Sequence, residues 1–581
     1  MKARWRLRPH QPGLASDLAR AAAMSPLVAQ LLLNRGVGDP DRAQAFLSSK
    51  MGSLHDPELL PGAIEAAARI HQAARDGRAI VIYGDYDVDG VCGVSILWLC
   101  LKLAGARDPT SYIPHRVDEG YGLSATALDK IAVEHPGALV VTVDCGISAV
   151  AEAQHARALG LELIITDHHT IGQELPAADV LVHPRLPGSL YPNGDLCGAA
   201  VGFKVAWQVC KLFGDGKRAS PHLRDFLLRS MGYVALATIA DVVPLSDENR
   251  VLVKHGLAGL DANPMPGAAA LLELSGHTSR KRLKSGTIGF AIGPRINAAG
   301  RMERAAAAVE LLTTSDTARA RVLALELDDC NTRRQEVERK IVQEAHAKID
   351  AQGGLGERKG LVVGAEGWHP GVIGIVASRL AEIYHRPTIV VGLTSPIAQG
   401  SARSIPGFNL YDALSDCRDL LVAFGGHAAA AGVKLDPANL AGLAERFDAR
   451  CRRELTPDRL ERSLWIDAEV PLASLSLAVV EEIERLEPHG IENPRPLLLT
   501  SDVEIVGEPR AVGERADHLQ FTCRQGDFTA RAIAFKQAEK GRILKPGVRA
   551  SVVYHPTVNE WRGRRDVQLE VRDFELVDNP G

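Results

Sequence analysis

Three apolar stretches between residues 79 and 166 alternate with amphipathic helical patterns. The stretches 79–84, 138–143 and 163–166 are rich in β-branched residues, which is typical of strands buried on both faces of a parallel sheet. The helical patterns are clearest over residues 91–104, 124–135 and 149–159. Strands and helices at this spacing imply right-handed βαβ units, so an α/β domain is predicted over about residues 56–240.

The pattern changes twice further along the chain. Residues 318–350 contain neither glycine nor proline and are dense in charged residues, which predicts one long connecting helix. A second α/β pattern begins near residue 360. After about residue 460, short strand-like runs separated by turn residues suggest a small β-barrel, of which the OB-fold is the common nucleic-acid-binding form. The first fifty residues predict a short helical appendage.

Composition narrows the functional classes. A chain of 581 residues exceeds one ordinary core, so several domains are expected. The nine cysteines are never spaced C-x-x-C, which favours a reducing compartment over a disulfide framework. No uncharged run reaches the roughly 18 apolar residues that span a membrane. We therefore expect a cytoplasmic protein that does not bind membranes. The net charge of −4 neither requires nor excludes a nucleic-acid partner.

Carboxylate and imidazole side chains follow each of the three apolar stretches. These residues are Asp85, Asp87 and Asp89 after the first stretch, Asp144 after the second, and Asp167, His168 and His169 after the third. Because parallel strands present their carboxyl ends at one edge of a sheet, we expect these groups to converge. Five carboxylates brought together repel one another unless cations neutralise them. Oxygen and imidazole ligands suit Mg²⁺ or Mn²⁺, and the absence of cysteine pairs argues against structural zinc. The sequence therefore predicts a two-metal hydrolytic centre.

Three further residues bear on this centre, namely Asp241, Gly84 and Gly90. Asp241 lies inside the apolar run 237–243, where an unpaired charge is expensive, so it is either a further ligand or a cap before Pro244. Gly84 and Gly90 flank the first acidic group and are interpreted as supplying conformational freedom for a strand-to-helix turn.

Several segments offer groups for phosphate. The planar fork of arginine matches phosphate oxygens, and backbone N–H groups in turns bind anions. The candidates are Arg295, Arg301, Ser401, Arg403 and the turn that contains His427. Each arginine has a structural salt bridge as its alternative role. Trp561 and Arg562 near the C-terminus combine stacking with charge, which suits single-stranded nucleic acid, although a solvated surface is the simpler interpretation.

Taken together, the motifs resemble the DHH phosphoesterase superfamily and, within it, the RecJ single-strand-specific exonucleases. The motifs are G-D-Y-D-V-D-G at 84–90, T-V-D-C-G at 142–146, T-D-H-H at 166–169, T-I-A-D-V-V-P-L at 238–245, W-H-P-G at 368–371, G-S-A-R-S at 400–404 and G-G-H-A at 425–428. The likeness spans roughly residues 55–580. One departure is His183-Pro184, which stands where the family more usually has Asn-Pro.

The resemblance implies an architecture. We expect a parallel-sheet DHH phosphoesterase domain, a smaller α/β DHH-associated domain joined to it by a long helix, and a C-terminal OB-like β-barrel. The implied boundaries are 1–50 for the helical appendage, 51–317 for the DHH catalytic domain, 318–352 for the connecting helix, 353–460 for the DHH-associated domain and 461–581 for the nucleic-acid-binding barrel.

The resemblance also implies residue roles. Asp87 and Asp144 would hold one metal ion with Asp85 nearby. The second ion would be held by Asp89, Asp144, His168 and Asp241, so Asp144 bridges. His169 would face the scissile phosphate as a proton donor or charge stabiliser, and Asp167 would orient an imidazole. Arg116 and Tyr121 would line the DNA passage, with Tyr121 either stacking on a base or packing in a core.

The implied activity is degradation of single-stranded DNA from the 5′ end to 5′-mononucleotides with Mg²⁺ or Mn²⁺, in DNA repair and recombination. Single-stranded DNA is the implied partner, single-strand-binding protein and a helicase are further implied partners, and a monomer is expected. Two alternatives stay open. A DHH oligoribonuclease or cyclic-dinucleotide phosphodiesterase generally lacks the barrel, and an inactive single-strand-binding scaffold would not need the full ligand set.

Overall fold

The computed structural model describes residues 3–115, 119, 122–278, 282–302, 305–394, 396–561 and 563–577. The chain divides into two compact units. The larger unit comprises His55–Val243 and His255–Arg462, and the smaller unit comprises Met1–Leu54, Pro244–Lys254 and Ser463–Gly581. Of the helices in the described part of the chain, none combines the length and the apolar character that spanning a membrane requires.

A five-stranded parallel sheet organises the first half of the larger unit. Its strands, in order across the sheet, are Thr110–Tyr112, Ile80–Gly84, Leu139–Val143, Glu162–Thr166 and Val180–Val182. The helices Ala63–Arg75, Val88–Leu103, Ala125–Glu134 and Val150–Ala158 alternate with these strands. The three predicted strands are confirmed, and they are buried because their β-branched side chains face helices on both sides.

Helices make up the rest of this half. They are Gly198–Leu212, Pro221–Ala240, Pro266–Leu274, Ser285–Thr287, Gly293–Met302 and Ala306–Thr313, with a π-helical turn at Ile288–Ile292. The helix Asp247–Ala262 begins in the smaller unit and ends in the larger one. The long helix Thr317–Ala351 follows, as the sequence predicts. It begins where the Asp316 carboxylate accepts hydrogen bonds from two backbone N–H groups of the first turn.

A second, mixed sheet lies at the end of the larger unit. Its strand order is Ala423–Gly426, Ala430–Leu435, Ala398–Arg403, Thr388–Leu393 and Leu361–Glu366, and only the last two strands are parallel to each other. The helices Pro370–Tyr384, Leu410–Ser415 and Leu440–Glu454 accompany it. This arrangement is the smaller α/β domain that the sequence predicts.

The smaller unit contains the predicted barrel. Its strands are Leu498–Val512, His518–Gln525, Phe528–Ala534, Arg549–Trp561 and Arg564–Leu576, and it closes because the first strand also pairs with the fourth. The short strand Ala468–Glu469 extends the first strand's edge, and the helix Leu477–Glu484 precedes the barrel. Five strands closed in this way are consistent with an OB-fold.

The N-terminal segment belongs to the same unit as the barrel. Its helices Pro12–Ala21, Pro26–Leu33 and Pro40–Ser48 share one apolar core with the barrel, in which Leu31 and Phe574 are both buried. The segment is helical, as expected. It is also an integral part of its unit, and the domain boundaries drawn from the sequence stay predictions.

Candidate metal centre

The first acidic group forms a strand-to-helix turn. The strand ends at Gly84, and the carboxylate of Asp87 accepts hydrogen bonds from the backbone N–H groups of Asp89 and Gly90, at 2.8 and 3.2 Å. Asp87 is therefore the N-cap of the helix that begins at Val88, three residues before the predicted start. Asp85 and Asp89 are each only 1% exposed.

The two glycines of this turn serve a different purpose from the one expected. Neither adopts a positive φ, so conformational freedom is not what the turn needs. A Cβ at Gly84 would lie 2.2 Å from Val94 Cγ2, and one at Gly90 would lie 2.5 Å from the carbonyl oxygen of Asp85. The absence of a side chain allows the strand, the turn and the helix to approach one another closely.

Asp144 follows the neighbouring strand, Leu139–Val143. Its backbone adopts the left-handed conformation, with a φ of 64°. Such a backbone is costly for a residue other than glycine and persists where surrounding contacts hold it. The helix Gly198–Leu212 begins directly beside it, since a Cβ at Gly198 would lie 2.5 Å from the Asp144 Cβ. The backbone N–H groups of Gly198 and Ala199 donate to the two carboxylate oxygens of Asp89, at 2.6 Å each. The sequence did not predict these two N–H donors. The segment that contains them is Leu196-Cys197-Gly198-Ala199.

His168 lies at the centre of the cluster. Its Nε2 is 3.1 Å from Asp144 Oδ1, 3.6 Å from Asp89 Oδ2 and 3.6 Å from Asp241 Oδ2. Asp241 itself follows the last residue of the helix Pro221–Ala240 and directs its carboxylate into the site. Three overlapping sets place potential ligand atoms within 4.8 Å of one another: Asp85, Asp87 and Asp144; Asp89, His168 and Asp241; and Asp144, His168 and His169.

Buried ligand atoms in the centre of this cluster lack a hydrogen bond. Among the described residues, Asp144 Oδ1, His168 Nε2 and Asp241 Oδ2 have no hydrogen-bond partner. Burial, and then the charge of Asp89, raises the pKa of Asp144 well above its usual value and the pKa of Asp241 to about 9. Burial also lowers the pKa of His168, which favours a neutral imidazole. Divalent cations would supply the missing partners, so this donor set fits Mg²⁺ or Mn²⁺.

Asp167 holds the neighbouring imidazole rather than joining a ligand set. Its Oδ1 accepts hydrogen bonds from the backbone N–H and the Nδ1–H of His169, at 3.1 and 2.7 Å, and its Oδ2 accepts one from the N–H of Ile147. Burial opposes both charges, but the Asp167–His169 hydrogen bond prevails, so the pKa of Asp167 falls to about 2 and that of His169 rises to about 9.

His183 supports this pair and was missed as a functional residue. It is fully buried, its Nε2–H donates to the carbonyl oxygen of His169 at 2.8 Å, and its Nδ1 accepts from the backbone N–H of Arg185 at 2.9 Å. The departure from the family's Asn-Pro pattern is the signal that marks this position. The histidine fastens the backbone that carries His169.

A separate cavity of about 410 Å³ contains three of the predicted phosphate ligands. Arg301, Ser401 and Arg403 line it together with Gly371 and Gly374 from the first turns of the helix Pro370–Tyr384. Arg403 Nη1 donates to Ser401 Oγ at 2.9 Å. Two guanidinium groups, a hydroxyl and a helix N-terminus suit an anion such as phosphate.

Of the other predicted substrate residues, the two that the structure describes do not line this cavity. Arg295 donates from Nε to Asp328 at 2.8 Å and from Nη1 to the carbonyl oxygen of Ala291, which favours its structural alternative. His427 is exposed, and its backbone N–H donates to Ala430. Arg116, Tyr121, Arg562 and the side chain of Trp561 lie outside the described residues.

Three protein-family models match the chain in the expected order. The model of the DHH family's N-terminal domain matches residues 79–231, that of the DHHA1 domain matches residues 357–453, and that of the RecJ OB domain matches residues 466–573.

Full-length relatives and solved structures agree with these models. The single-stranded-DNA-specific exonuclease RecJ of Bacillus subtilis strain 168 is 39% identical over 574 residues, which cover 98% of this chain and 71% of that protein. The RecJ of Dickeya dadantii strain 3937 is 36% identical, and the match covers 94% of this chain and 95% of that protein. The crystal structure of RecJ from Thermus thermophilus in complex with Mn²⁺ matches with a TM-score of 0.82 and 32% identity, over 99% of this chain and 80% of that one. The chain therefore belongs to the RecJ family of single-stranded-DNA-specific exonucleases.

Proposed function

We propose that this chain is a metal-dependent exonuclease that hydrolyses single-stranded DNA from the 5′ end and releases 5′-mononucleotides. The observation that carries this proposal is the buried centre around His168. Its Nε2 has no hydrogen-bond partner among the described residues, and neither have Asp144 Oδ1 and Asp241 Oδ2, which lie 3.1 and 3.6 Å from that Nε2. The substrate class rests on the names of the relatives, and the strand polarity rests on the likeness to their family.

The ligand sets suggest how two cations, Mn²⁺ or Mg²⁺, would be held. Asp85, Asp87 and Asp144 would hold one ion, and Asp89, His168 and Asp241 would hold the other. Asp144 Oδ1 lies 3.1 Å from His168 Nε2, so we propose, as the likeness to the family implies, that Asp144 also serves the second ion. When bound, the cations supply positive charge for a scissile phosphate and make a water molecule more acidic. The polar backbone groups around Asp87 and Asp89 keep these carboxylates in place.

The remaining polar groups have roles that follow from their contacts. His169 is held by Asp167, and this hydrogen bond favours its protonated form, so it is suited to donate a proton or to stabilise negative charge on the phosphate. Arg301, Ser401 and Arg403 would hold the phosphate of a terminal nucleotide in their cavity.

The barrel offers a surface for the rest of the strand. On the outer side of its second and third strands, Thr522 pairs with Arg531, and Phe535 follows the third strand with 51% of its side chain exposed. Bases stack on aromatic side chains and backbone phosphates contact arginine, a combination that tolerates any sequence. Trp561 and Arg562, which precede the last strand in the sequence, are proposed as further contacts to single-stranded DNA.

Two rival functions receive less support. A DHH oligoribonuclease or cyclic-dinucleotide phosphodiesterase would not need the barrel, which the RecJ OB model matches over residues 466–573. An inactive binding scaffold would not need the metal-ligand sets, whose buried carboxylates are expensive without cations.

We further propose that the chain acts as a monomer in the cytoplasm, in DNA repair and recombination, with single-strand-binding protein and a helicase as partners. Support for a reducing compartment comes from the cysteines, since all nine are buried and none forms a disulfide. Partner identity and oligomeric state rest on the family alone.

The deciding experiment is digestion of matched oligonucleotides labelled at the 5′ or the 3′ end. With Mn²⁺ or Mg²⁺, we expect a 5′ label to leave at once as a mononucleotide and a 3′ label to leave last. Blunt duplex DNA should resist, and EDTA should abolish release. Loss of the 3′ label first, or release without metal, would contradict the proposal.

Asp144→Asn is the matched inactive variant. It preserves the shape of the side chain and removes the negative charge of a carboxylate that belongs to one ligand set and whose Oδ1 lies 3.1 Å from the His168 Nε2 of the other. Turnover should fall at least about a hundredfold, because metal-centred charge stabilisation is worth several kcal/mol. A variant that folds and retains a tenth or more of the activity would refute the shared-ligand role.

A further inference from the structure

A two-stranded ribbon in the smaller unit combines an exposed tryptophan with arginines. The strand Arg4–Leu7 pairs in parallel with Ser463–Ile466, and Arg6 stands in register with Trp465. Because side chains alternate along a strand, residues in register share a face. Arg6 and Trp465 therefore lie on one face of the ribbon, which we call the outer face.

The inner face of this ribbon is anchored. Trp5 Nε1 donates to Asp573 Oδ2 at 2.8 Å, and Ile466 is buried with Leu497 and Val553 of the barrel region. The ribbon cannot turn over without breaking these contacts. Its outer face is consequently presented in a defined orientation.

The outer face carries charge beside an accessible indole. The Cζ atoms of Arg6 and Arg8 lie 5.8 and 5.7 Å from the ring centroid of Trp465, and the tryptophan remains 51% exposed. Arg6 is half-buried and forms no ion pair with any described residue, and its buried Nε has no hydrogen-bond partner among them. Among the described residues, Arg8 approaches one carboxylate, that of Asp467, whose Oδ1 lies 3.7 Å from its Nε.

This combination has a recognisable ligand chemistry. A surface cation–π contact contributes only about 0.5–1 kcal/mol. The charges of the two arginines are therefore not fully balanced by the indole and the one nearby carboxylate, and about half of the Trp465 side chain stays in contact with water. A single strand of DNA offers base faces for the indole and a phosphate at each nucleotide for the guanidinium groups. Duplex DNA hides its base faces by stacking.

We propose that Arg6, Arg8 and Trp465, none of which belongs to the metal centre or to the outer side of the barrel's second and third strands, form a platform that binds single-stranded DNA. A base stacks on Trp465, and the flanking phosphates contact the two arginines. The proposal rests on the proposed function only for the identity of the ligand as DNA.

The test is fluorescence-anisotropy binding of the full chain to labelled oligo(dT) in EDTA, where the strand stays intact. Trp465→Ala should weaken binding about tenfold, the loss expected for one stacked base, and Trp465→Phe should recover part of it. The double variant Arg6→Ala/Arg8→Ala should lower the slope of log K against log salt by about 0.7 for each lost phosphate contact. Arg20→Ala, whose side chain is 80% exposed in the same unit, is the matched charge control.

Hydrolysis of a very short oligonucleotide with Mn²⁺ is measured on the same preparations. If the platform variants bind oligo(dT) and respond to salt as the wild type does, the platform is refuted while the exonuclease proposal stands. If the wild type degrades no single strand, the proposed function fails instead. An equal loss in the Arg20→Ala control, or an equal loss of duplex binding, would show a general charge effect and would also overturn the platform. If Trp465→Ala does not fold, the arginine double variant decides.

Discussion

The side chain of Asn297 holds the turn that carries the metal-site carboxylates. Its Oδ1 accepts a hydrogen bond at 3.0 Å from the backbone N–H of Val88, 209 residues away, which lies between Asp87 and Asp89. In the same helix, Gly300 packs so closely against the turn that a Cβ there would lie 2.4 Å from the carbonyl oxygen of Tyr86. One helix therefore positions the acidic turn from outside.

Replacing Asn297 by alanine should loosen this turn without removing a ligand. We expect the Mn²⁺ concentration needed for half-maximal activity to rise about tenfold, because groups that orient metal ligands typically contribute about 10–100-fold to metal affinity. Titration of activity with Mn²⁺, together with direct binding by calorimetry, measures the shift. Asn331→Ala, a buried asparagine of the long helix, is the matched control and should leave the metal requirement unchanged. An unchanged requirement in Asn297→Ala would remove its positioning role.

The metal-free protein should lose stability as pH rises. The folded-state pKa of Asp241 is about 9, against 3.8 for the exposed group, chiefly because of burial and then the charge of Asp89. The folded state therefore holds this proton more tightly, and the free energy of unfolding in EDTA should fall between about pH 4 and pH 9, by at most about 1.4 kcal/mol per pH unit for this group. Urea unfolding at several pH values in EDTA measures the slope.

Asp241→Asn should flatten this slope and raise the stability of the metal-free protein at neutral pH. Asp225→Asn, on the exposed side of the same helix, should do neither. Saturating Mn²⁺ should stabilise the wild type and have a smaller effect on Asp241→Asn. A wild-type stability in EDTA that rises through this pH range would contradict the charge balance described for the centre.

Arg403 should distinguish 5′-phosphorylated from 5′-hydroxyl strands. It lines the 410 Å³ cavity with Ser401 and Arg301, and a lost hydrogen bond to a charged group is worth roughly tenfold or more in binding. Arg403→Ala should raise KM for 5′-phosphorylated strands by that factor and change KM for 5′-hydroxyl strands less. Arg403→Lys should recover only part, since lysine lacks the planar fork.

The matched control for this cavity is Arg379→Ala. That arginine belongs to the same helix as the cavity's Gly371 and Gly374, but its side chain is 61% exposed. It should leave both KM values unchanged. Equal losses on both substrates in Arg403→Ala would make Arg403 a general backbone contact.

Arg250 should be essential for the stability of the smaller unit. It is 1% exposed, and its guanidinium lies 4.0 Å from the ring centroid of Phe46. It donates to the carbonyl oxygens of Phe46, Arg485, Leu486, Glu487 and Pro488. Arg250→Ala would leave these buried acceptors short of donors and should lower the free energy of unfolding by about 3 kcal/mol or more.

Urea titration measures this loss against two comparisons. Arg250→Lys keeps one charge and three donors, so it should recover only part of the stability. Arg20→Ala, in the same unit but 80% exposed, should change the free energy by less than about 0.5 kcal/mol. If Arg250→Ala is as stable as Arg20→Ala, the carbonyl cluster contributes nothing.

Much of the fold followed from local patterns. The strands Ile80–Gly84, Leu139–Val143 and Glu162–Thr166 were predictable because β-branched runs that end in polar residues are a periodic, short-range signal. The long helix Thr317–Ala351 was predictable because no glycine or proline interrupts it. The convergence of Asp85, Asp87, Asp89, Asp144, His168 and His169 followed from one rule about parallel strands.

The sequence by itself therefore determined which acidic and imidazole groups form the metal centre and which strands carry them. Both follow from local properties, namely the spacing of apolar residues and the types of side chain. Only the tertiary structure decided which distant groups complete them. The N–H donors of Gly198 to Asp89, 109 residues apart, and the register that sets Arg6 beside Trp465 depend on how packed elements approach one another. No short-range pattern encodes that approach, because it is set by the summed packing of elements far apart in the chain.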